Sequence, residues 1–301
     1  MKPPRQVDMA ASVRARLLAR AKERGEDFQL TLVRYAVERF LYRLGKSTHR
    51  EAFVLKGAML FALWSEQPFR ATGDLDLLGL GPLGERRVKA MIEELAALEV
   101  EEDGVTFETK QLRIEKMNVQ DEYKGVRLSF LARMGNVRIP MKIDVGFGDV
   151  ITPAPVDLNY PTMLDLPVPQ VRAYPVETVI AEKFQAMVEL GIRNSRLKDF
   201  FDLWAIALML EVDGSSLAAA IKATFAQRDT DPPQARPLAL TEEFTDEPSK
   251  LTQWAAFTRR VTTTLTPTAL RETAEVVASL VMPAATGDSI GKSWPPGGPW
   301  A

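Results

Sequence analysis

Two aspartates one residue apart, Asp74-Leu75-Asp76, carry the sharpest chemical signal in the chain. Alternate side chains of a strand share a face, so both carboxylates would point one way while Leu75 and Leu77 point the other. Adjacent carboxylates repel each other unless a cation lies between them. A hard divalent ion, Mg²⁺ or Mn²⁺, meets that need with oxygen ligands and keeps positions open for phosphates. The same pair also suits an exposed strand edge, so the surroundings decide. Lys56-Gly57-Ala58 lies upstream, where a glycine opening a helix over 58–64 would let backbone N–H groups approach a phosphate. Arg70 and Thr72 add a cation and a hydroxyl just ahead of the pair. Over 138–147, Ile139, Met141, Ile143 and Val145 fall on one face of a strand, Lys142 and Asp144 on the other. If that strand lies near 74–78 in a sheet, Asp144 joins Asp74 and Asp76 as a third carboxylate. Three carboxylates and a phosphate-holding glycine turn are the parts of a two-metal phosphoryl-transfer site.

A second constellation lies further on. Val176, Ile180, Met187 and Leu190 form an apolar helical stripe, and Lys183 occupies its middle. Its ammonium either snorkels to water or has a partner. In the next helix Asp199 and Asp202 share a face, and Asp202 sits in FFDLWAIALML, apolar nearly all round. A buried carboxylate without a partner is costly. Lys183 and Asp202 therefore either compensate each other as a structural ion pair, or Asp202 orients Lys183 toward a nucleotide phosphate.

Composition narrows the chemistry. There is no cysteine, which excludes disulfides, thiolate nucleophiles and Cys-ligated zinc. The single histidine, His49, falls in GKSTHRE and reads as a solvated turn residue. Catalysis must rest on carboxylates, lysine, arginine, hydroxyls and metal. No apolar run reaches the roughly 18 residues that a membrane span needs, and the opening residues lack the apolar region of a signal peptide. No membrane partner is expected, and a cytoplasmic location is the default. Residues 1–56 carry a charge of +7 and the remainder −9. Arg14, Arg16 and Arg20 lie outside the stripe of Val13, Leu17, Leu18 and Ala21, as candidates for RNA contact or as a solvated helix face.

The elements that must position these residues can be read in order. Helices are expected over 8–24 and 28–44, separated by Gly25. A strand follows at 74–78, a helix at 83–98, strands within 105–149 and a proline-rich loop with short extended pieces over 151–175. Helices at 176–191 and 196–211 precede a polar, proline-rich stretch over 228–250, then helices at 250–262 and 267–281. The tail GDSIGKSWPPGGPWA reads as disordered. The expected organisation is an N-terminal helical arm with an α/β core over 1–175, a helical part over 176–282 that completes the active site, and a disordered tail over 283–301.

Together FVLKGAMLFALW, RATGDLDLLG, IPMKIDVGFGD, TVIAEKFQAMVELG, RLKDFFDL and PLALTEEF resemble the AbiEii/AbiGii nucleotidyltransferase family, the toxin half of a bacterial toxin–antitoxin and abortive-infection system. The resemblance spans roughly 10–280. It implies an α+β, polymerase-β-like nucleotidyltransferase fold, a mixed sheet with an N-terminal helical arm and a helical C-terminal half. Asp74 and Asp76 match the metal-binding pair, Thr72 the hydroxyl residue ahead of it, Lys183 the lysine of the AEK segment, and Asp202 the last aspartate of the RxKDxxD segment. Glu182, Arg196 and Asp199 fall beside them as supporting residues. Asp144 falls where a third strand carboxylate belongs, as metal ligand or general base. One departure stands out: the usual Gly-Gly or Gly-Ser turn reads Gly57-Ala58 here.

The implied activity is transfer of a nucleoside monophosphate from an NTP, with Mg²⁺ or Mn²⁺, to the 3′ end of tRNA. Such an enzyme blocks translation and is countered by a cognate antitoxin. The same chemistry on a protein, on a small molecule or on the chain itself through Thr72 remains open, as does a module that only binds nucleotide or RNA.

Overall fold

The structure, a computed structural model, describes residues 8–65, 72–119, 122–261, 265 and 269–301. The chain divides into two compact units. The first comprises Met1–Leu63, Thr72–Gly148 and Asp157–Ala173, the second Trp64–Ala71, Asp149–Val156 and Tyr174–Ala301.

The first unit opens with α1 (Met9–Arg24) and α2 (Phe28–Lys46). Each starts where an aspartate, Asp8 or Asp27, accepts a backbone N–H of the first turn. Gly25 ends α1 at φ 63°, a conformation natural to glycine. Next come β1 (Phe53–Lys56), a 3₁₀ turn at Gly57–Leu60 that runs into α3 (Phe61–Trp64), β2 (Leu75–Gly79) and α4 (Glu85–Ala97). The long strands β3 (Thr106–Val119), β4 (Glu122–Met134) and β5 (Val137–Phe147) form an antiparallel meander. The short strands β6 (Val156–Asn159) and β7 (Gln170–Ala173) follow. Among the described residues the sheet has seven strands in the order β3-β4-β5-β2-β1-β7-β6. It is mixed: β2 runs parallel to β5 and antiparallel to β1, and β1 runs parallel to β7.

One face of this sheet is core. Ile139, Met141, Ile143 and Val145 of β5 are buried, while Arg138, Pro140 and Lys142 between them are exposed. Period-two patterning of this kind marks a sheet packed on one side. The α2 helix supplies part of the cover: the Phe40 ring lies 5.4 Å from Phe107 and 6.0 Å from Phe130, centroid to centroid. A polar seam built on buried side chains fixes α2 further. Arg43 donates to Asp103 at 2.6 Å, the Tyr35 hydroxyl to the Asp103 carbonyl at 2.7 Å, and Arg39 to the Pro167 carbonyl at 2.7 Å. Glu38 accepts the Met163 N–H at 2.7 Å. Burial pushes the Glu38 carboxyl up to about 7, although the Met163 N–H and Arg39 both favour its charge.

The second unit is helical: α5 (Val176–Leu190), α6 (Leu197–Met209), the short β8 (Val212–Asp213), α7 (Gly214–Gln227), α8 (Glu242–Thr245), α9 (Pro248–Thr258) and α10 (Leu270–Thr286), closed by β9 (Ser293–Trp294). No helix among the described residues is long and apolar enough to cross a membrane.

Three expectations need correction. The tail over 283–301 is ordered. Residues 283–286 continue α10, β9 pairs with β8, and Trp294 is buried with its Nε1 donating to the Ala207 carbonyl at 2.8 Å. A polar composition hides two tryptophans that anchor the end, since Trp300 also packs edge-on against Trp294. By contrast, the short extended pieces expected within the loop over 151–175 are present as β6 and β7, which extend the sheet. Helix α7 lies where the sequence pattern marks no element; its small residues give little apolar contrast. His49 is buried, with Nε2 2.6 Å from Glu94 Oε2.

Candidate active site

Register across the sheet builds a charged row. Lys56 of β1 pairs with Asp76 of β2, Asp76 with Asp144 of β5, Asp144 with Arg127 of β4, and Arg127 with Glu115 of β3. The chain neighbours Leu55, Leu75, Leu77, Ile143, Val145, Val126 and Leu128 are buried on the face shared with the core. Alternation therefore directs the five charged residues to the opposite face. The adjacency of Asp76 and Asp144, conditional in the sequence, is real: the two occupy the same register position on neighbouring parallel strands. Asp74 lies one residue ahead of β2 and is exposed, while Thr72 is half-buried. Arg70 lies outside the described residues.

Sequence reasoning missed Arg127. Its Nε donates to Asp144 Oδ1 at 2.8 Å and its Nη2 to Oδ2 at 2.7 Å, a two-pronged pair. The hydrogen bond and charge of Asp144 raise the affinity of this guanidinium for its proton, and Asp74 and Glu115 add to the effect. The clue was the alternation in VRLSFLARM, which sets Arg127 opposite to Val126 and Leu128. The partner strand and register were not readable from that pattern.

Gly57 departs from expectation in its local structure. It does not open a full helix, because a four-residue 3₁₀ turn and a four-residue helix follow it. Its φ is +72°, and a Cβ there would lie 2.7 Å from the Asp76 carboxyl carbon and closer still to Oδ2. Glycine leaves room for the Asp76 carboxylate against the backbone. The Gly57-Ala58 turn thus reads as clearance for Asp76.

Asp74 and Asp76 supply the hard oxygen donors that Mg²⁺ or Mn²⁺ prefers, and the clearance at Gly57 lets Asp76 lie close to the turn. Among the described residues no three His, Cys, Asp or Glu groups are arranged to hold an ion together. Asp144 is engaged by Arg127. The donor chemistry fits a divalent cation held by the Asp74–Asp76 pair, with phosphate and water oxygens completing the shell.

In the second unit, Lys183 Nζ donates to Asp199 Oδ1 at 2.6 Å and to Asp202 Oδ2 at 2.8 Å. Arg196 Nε stands 2.6 Å from the other oxygen of Asp199. Asp199 and Asp202 are fully buried. Burial alone would lower the Lys183 pKa, but Asp202 and Asp199 together outweigh it and hold the ammonium charged. Burial likewise works against the Asp199 charge, and Lys183 and Arg196 overcome it, leaving this carboxyl below its ordinary value. Lys183 is therefore no snorkelling lysine. Glu182 approaches Arg228 at 3.9 Å, and Arg228 also donates to Asp149 at 3.3 Å and to Gln185 at 2.8 Å. On α1, Arg14 and Arg16 are exposed and Arg20 is half-buried.

The fold is similar to that of JHP933 from Helicobacter pylori, at 14% identity and a TM-score of 0.50, over 87% of this chain and 96% of that one. An antigenic nucleotidyltransferase-like protein from Paracoccidioides brasiliensis is a more distant likeness, at 13% identity and a TM-score of 0.34, over 76% of this chain and 88% of that one. No curated protein matches the chain. The family described as "Nucleotidyl transferase AbiEii toxin, Type IV TA system" matches over residues 39–276, a span that includes Asp74, Asp76, Arg127, Asp144, Lys183 and Asp202. The chain belongs to the AbiEii nucleotidyltransferase toxins of type IV toxin–antitoxin systems.

Proposed function

We propose that this enzyme transfers a nucleoside monophosphate from an NTP to the 3′ end of tRNA, in the cytoplasm, and that a cognate antitoxin counters it. The observation that carries the reading is the charged row, with Asp76 and Asp144 side by side and Asp74 just ahead of them. In the reaction the terminal hydroxyl oxygen attacks the α-phosphorus, the bond to the β-phosphate bridging oxygen breaks, and pyrophosphate leaves. A divalent cation held by Asp74 and Asp76 would activate the hydroxyl and stabilise the leaving pyrophosphate.

The chain's own residues do the rest. Lys56, beside Asp76 in register, offers a cation to the phosphates. Thr72 and the Gly57 turn line the approach to the pair, and Arg70 is a further candidate for phosphate. Asp144 receives the hydroxyl proton or joins the ligand set once it is released from Arg127. Lys183, held charged and oriented by Asp199 and Asp202, is the proposed cation for charge developing on the triphosphate. Arg14, Arg16 and Arg20 are proposed to follow the RNA backbone.

The test is incubation with each labelled NTP, Mg²⁺ and total tRNA, followed by separation of RNA and protein. Label at the 3′ end of intact tRNA is expected with at least one NTP. Label on the protein, or none in the RNA, would overturn the choice of acceptor.

A further inference from the structure

We propose that Arg127 is a positioning residue of the transfer site, an internal counter-cation that holds Asp144 apart from the Asp74–Asp76 pair until a divalent cation competes for it. This rests on the metal-dependent reading above and adds a control on how many carboxylates the site offers.

The register supplies the reason. Asp76 and Asp144 sit opposite each other on adjacent strands, which run about 4.8 Å apart. Two carboxylates that close repel, and a neighbouring positive charge relieves the repulsion. Arg127 stands on the far side of Asp144 from Asp76, one strand further along the same row. Its fork engages both Asp144 oxygens, at 2.8 and 2.7 Å. A planar guanidinium fixes the plane of a carboxylate in a way that a lysine cannot. In this arrangement Asp144 is neutralised and turned toward β4.

The pair is also built to part. The Arg127 side chain is 42% exposed and that of Asp144 17%. A guanidinium that exposed regains water as it leaves, so parting leaves no buried cation behind. A divalent ion carries twice the charge and would draw Asp144 in as a third ligand. Arg127 and the ion then compete for one carboxylate, so each weakens the hold of the other by the same factor. A purely structural pair makes a different demand: removing it costs stability, and whatever the lost charge does to ion affinity is the same with or without the Asp144 carboxylate.

Mn²⁺ binding to the full chain, measured without nucleotide from the paramagnetic resonance signal of free Mn²⁺, separates the two. Arg127→Gln is expected to tighten Mn²⁺ binding at least about fivefold, the low end of ordinary coupling between competing sites. Asp144→Asn should weaken binding little in the parent but clearly in the Arg127→Gln background. Arg127→Lys, which keeps charge and loses the fork, should fall between parent and Arg127→Gln. It also serves as the readout if Arg127→Gln fails to give a cooperative melt. Unchanged or weaker Mn²⁺ binding in a folded Arg127→Gln or Arg127→Lys protein would overturn the proposal. Asp76→Asn distinguishes the premise: Mn²⁺ binding that survives it removes the metal reading itself. Binding abolished in Asp76→Asn yet indifferent to Arg127 removes only the counter-cation.

Discussion

Replacing Lys183 with methionine should unfold much of what holds the second unit together. The side chains are of similar length, so packing along the α5 stripe is kept. The ammonium, however, is shared between Asp199 and Asp202, whose side chains are 2% and 0% exposed. Arg196 still reaches Asp199, and both buried carboxylates lose the ammonium they share. Breaking a buried ion pair from one side costs about 3–5 kcal/mol. A domain is stable by only about 5–15 kcal/mol in total. Urea denaturation followed through tryptophan fluorescence would report the change, since Trp204 and Trp254 lie in this unit and are buried. Lys183→Met with Asp202→Asn removes one of the two carboxylate charges that faced the ammonium and should recover about 0.5–3 kcal/mol, the range of coupling between touching residues. That double variant is the clean test of catalysis: part of the stability returns, and if Lys183 neutralises triphosphate charge, turnover stays down by about 2.7–4 kcal/mol. A Lys183→Met protein within about 1 kcal/mol of the parent would refute the reasoning, because so small a cost is incompatible with a shared buried ammonium.

Gly57→Ala should cost about 1–2 kcal/mol for its left-handed backbone and cut nucleotide transfer at least about tenfold, the scale of removing one supporting group at a metal site. Gly81→Ala, at φ +77° with open space around it, should show the backbone cost in its melting curve without the catalytic one. Stability of the first unit should fall as pH rises from 4.5 to about 7, because buried Glu38 keeps its proton in the folded state while the unfolded chain has released it. The slope integrates to roughly 3 kcal/mol, and Glu38→Gln should flatten it; melting curves at pH 5 and pH 8 check both. Charge reversal at Arg14, Arg16 and Arg20 should lower the log–log salt slope of RNA binding by about 0.7–0.9 for each phosphate that no longer has a cationic partner. Equal slopes for variant and parent would mean that this face is only solvated.

What the sequence disclosed, and what it withheld, follows physical lines. Alternation in 138–147 puts Asp144 opposite to the apolar core, and β5 bears this out residue by residue. Apolar spacing and Gly25 place α1 and α2 to within two residues. The same local logic fails at Arg127. Its significance depends on β4 pairing with β5 in one register, and a pairing of strands carries no mark in either strand alone. The role of Gly57 is hidden for a related reason: the residue that needs the space, Asp76, is nineteen positions away across a strand pair. At 283–301 composition misleads, because two tryptophans among prolines and glycines bury enough surface to fix a short polar segment. Lys183 stands out in the sequence as a lysine in an apolar stripe, and only the fold could reveal that it serves two aspartates.

The central claim is that Asp74 and Asp76 hold the cation for nucleotide transfer, and pyrophosphate release tests it most directly. Parent and Asp76→Asn proteins, both verified by melting, would be supplied with NTP, tRNA and Mg²⁺ or with EDTA in its place. The parent should release pyrophosphate with Mg²⁺ and not with EDTA. Asp76→Asn should fall by at least about 10²-fold, as expected when a charged group serving the transition state is removed. Pyrophosphate release at near-parental rate from a folded Asp76→Asn protein would contradict the account.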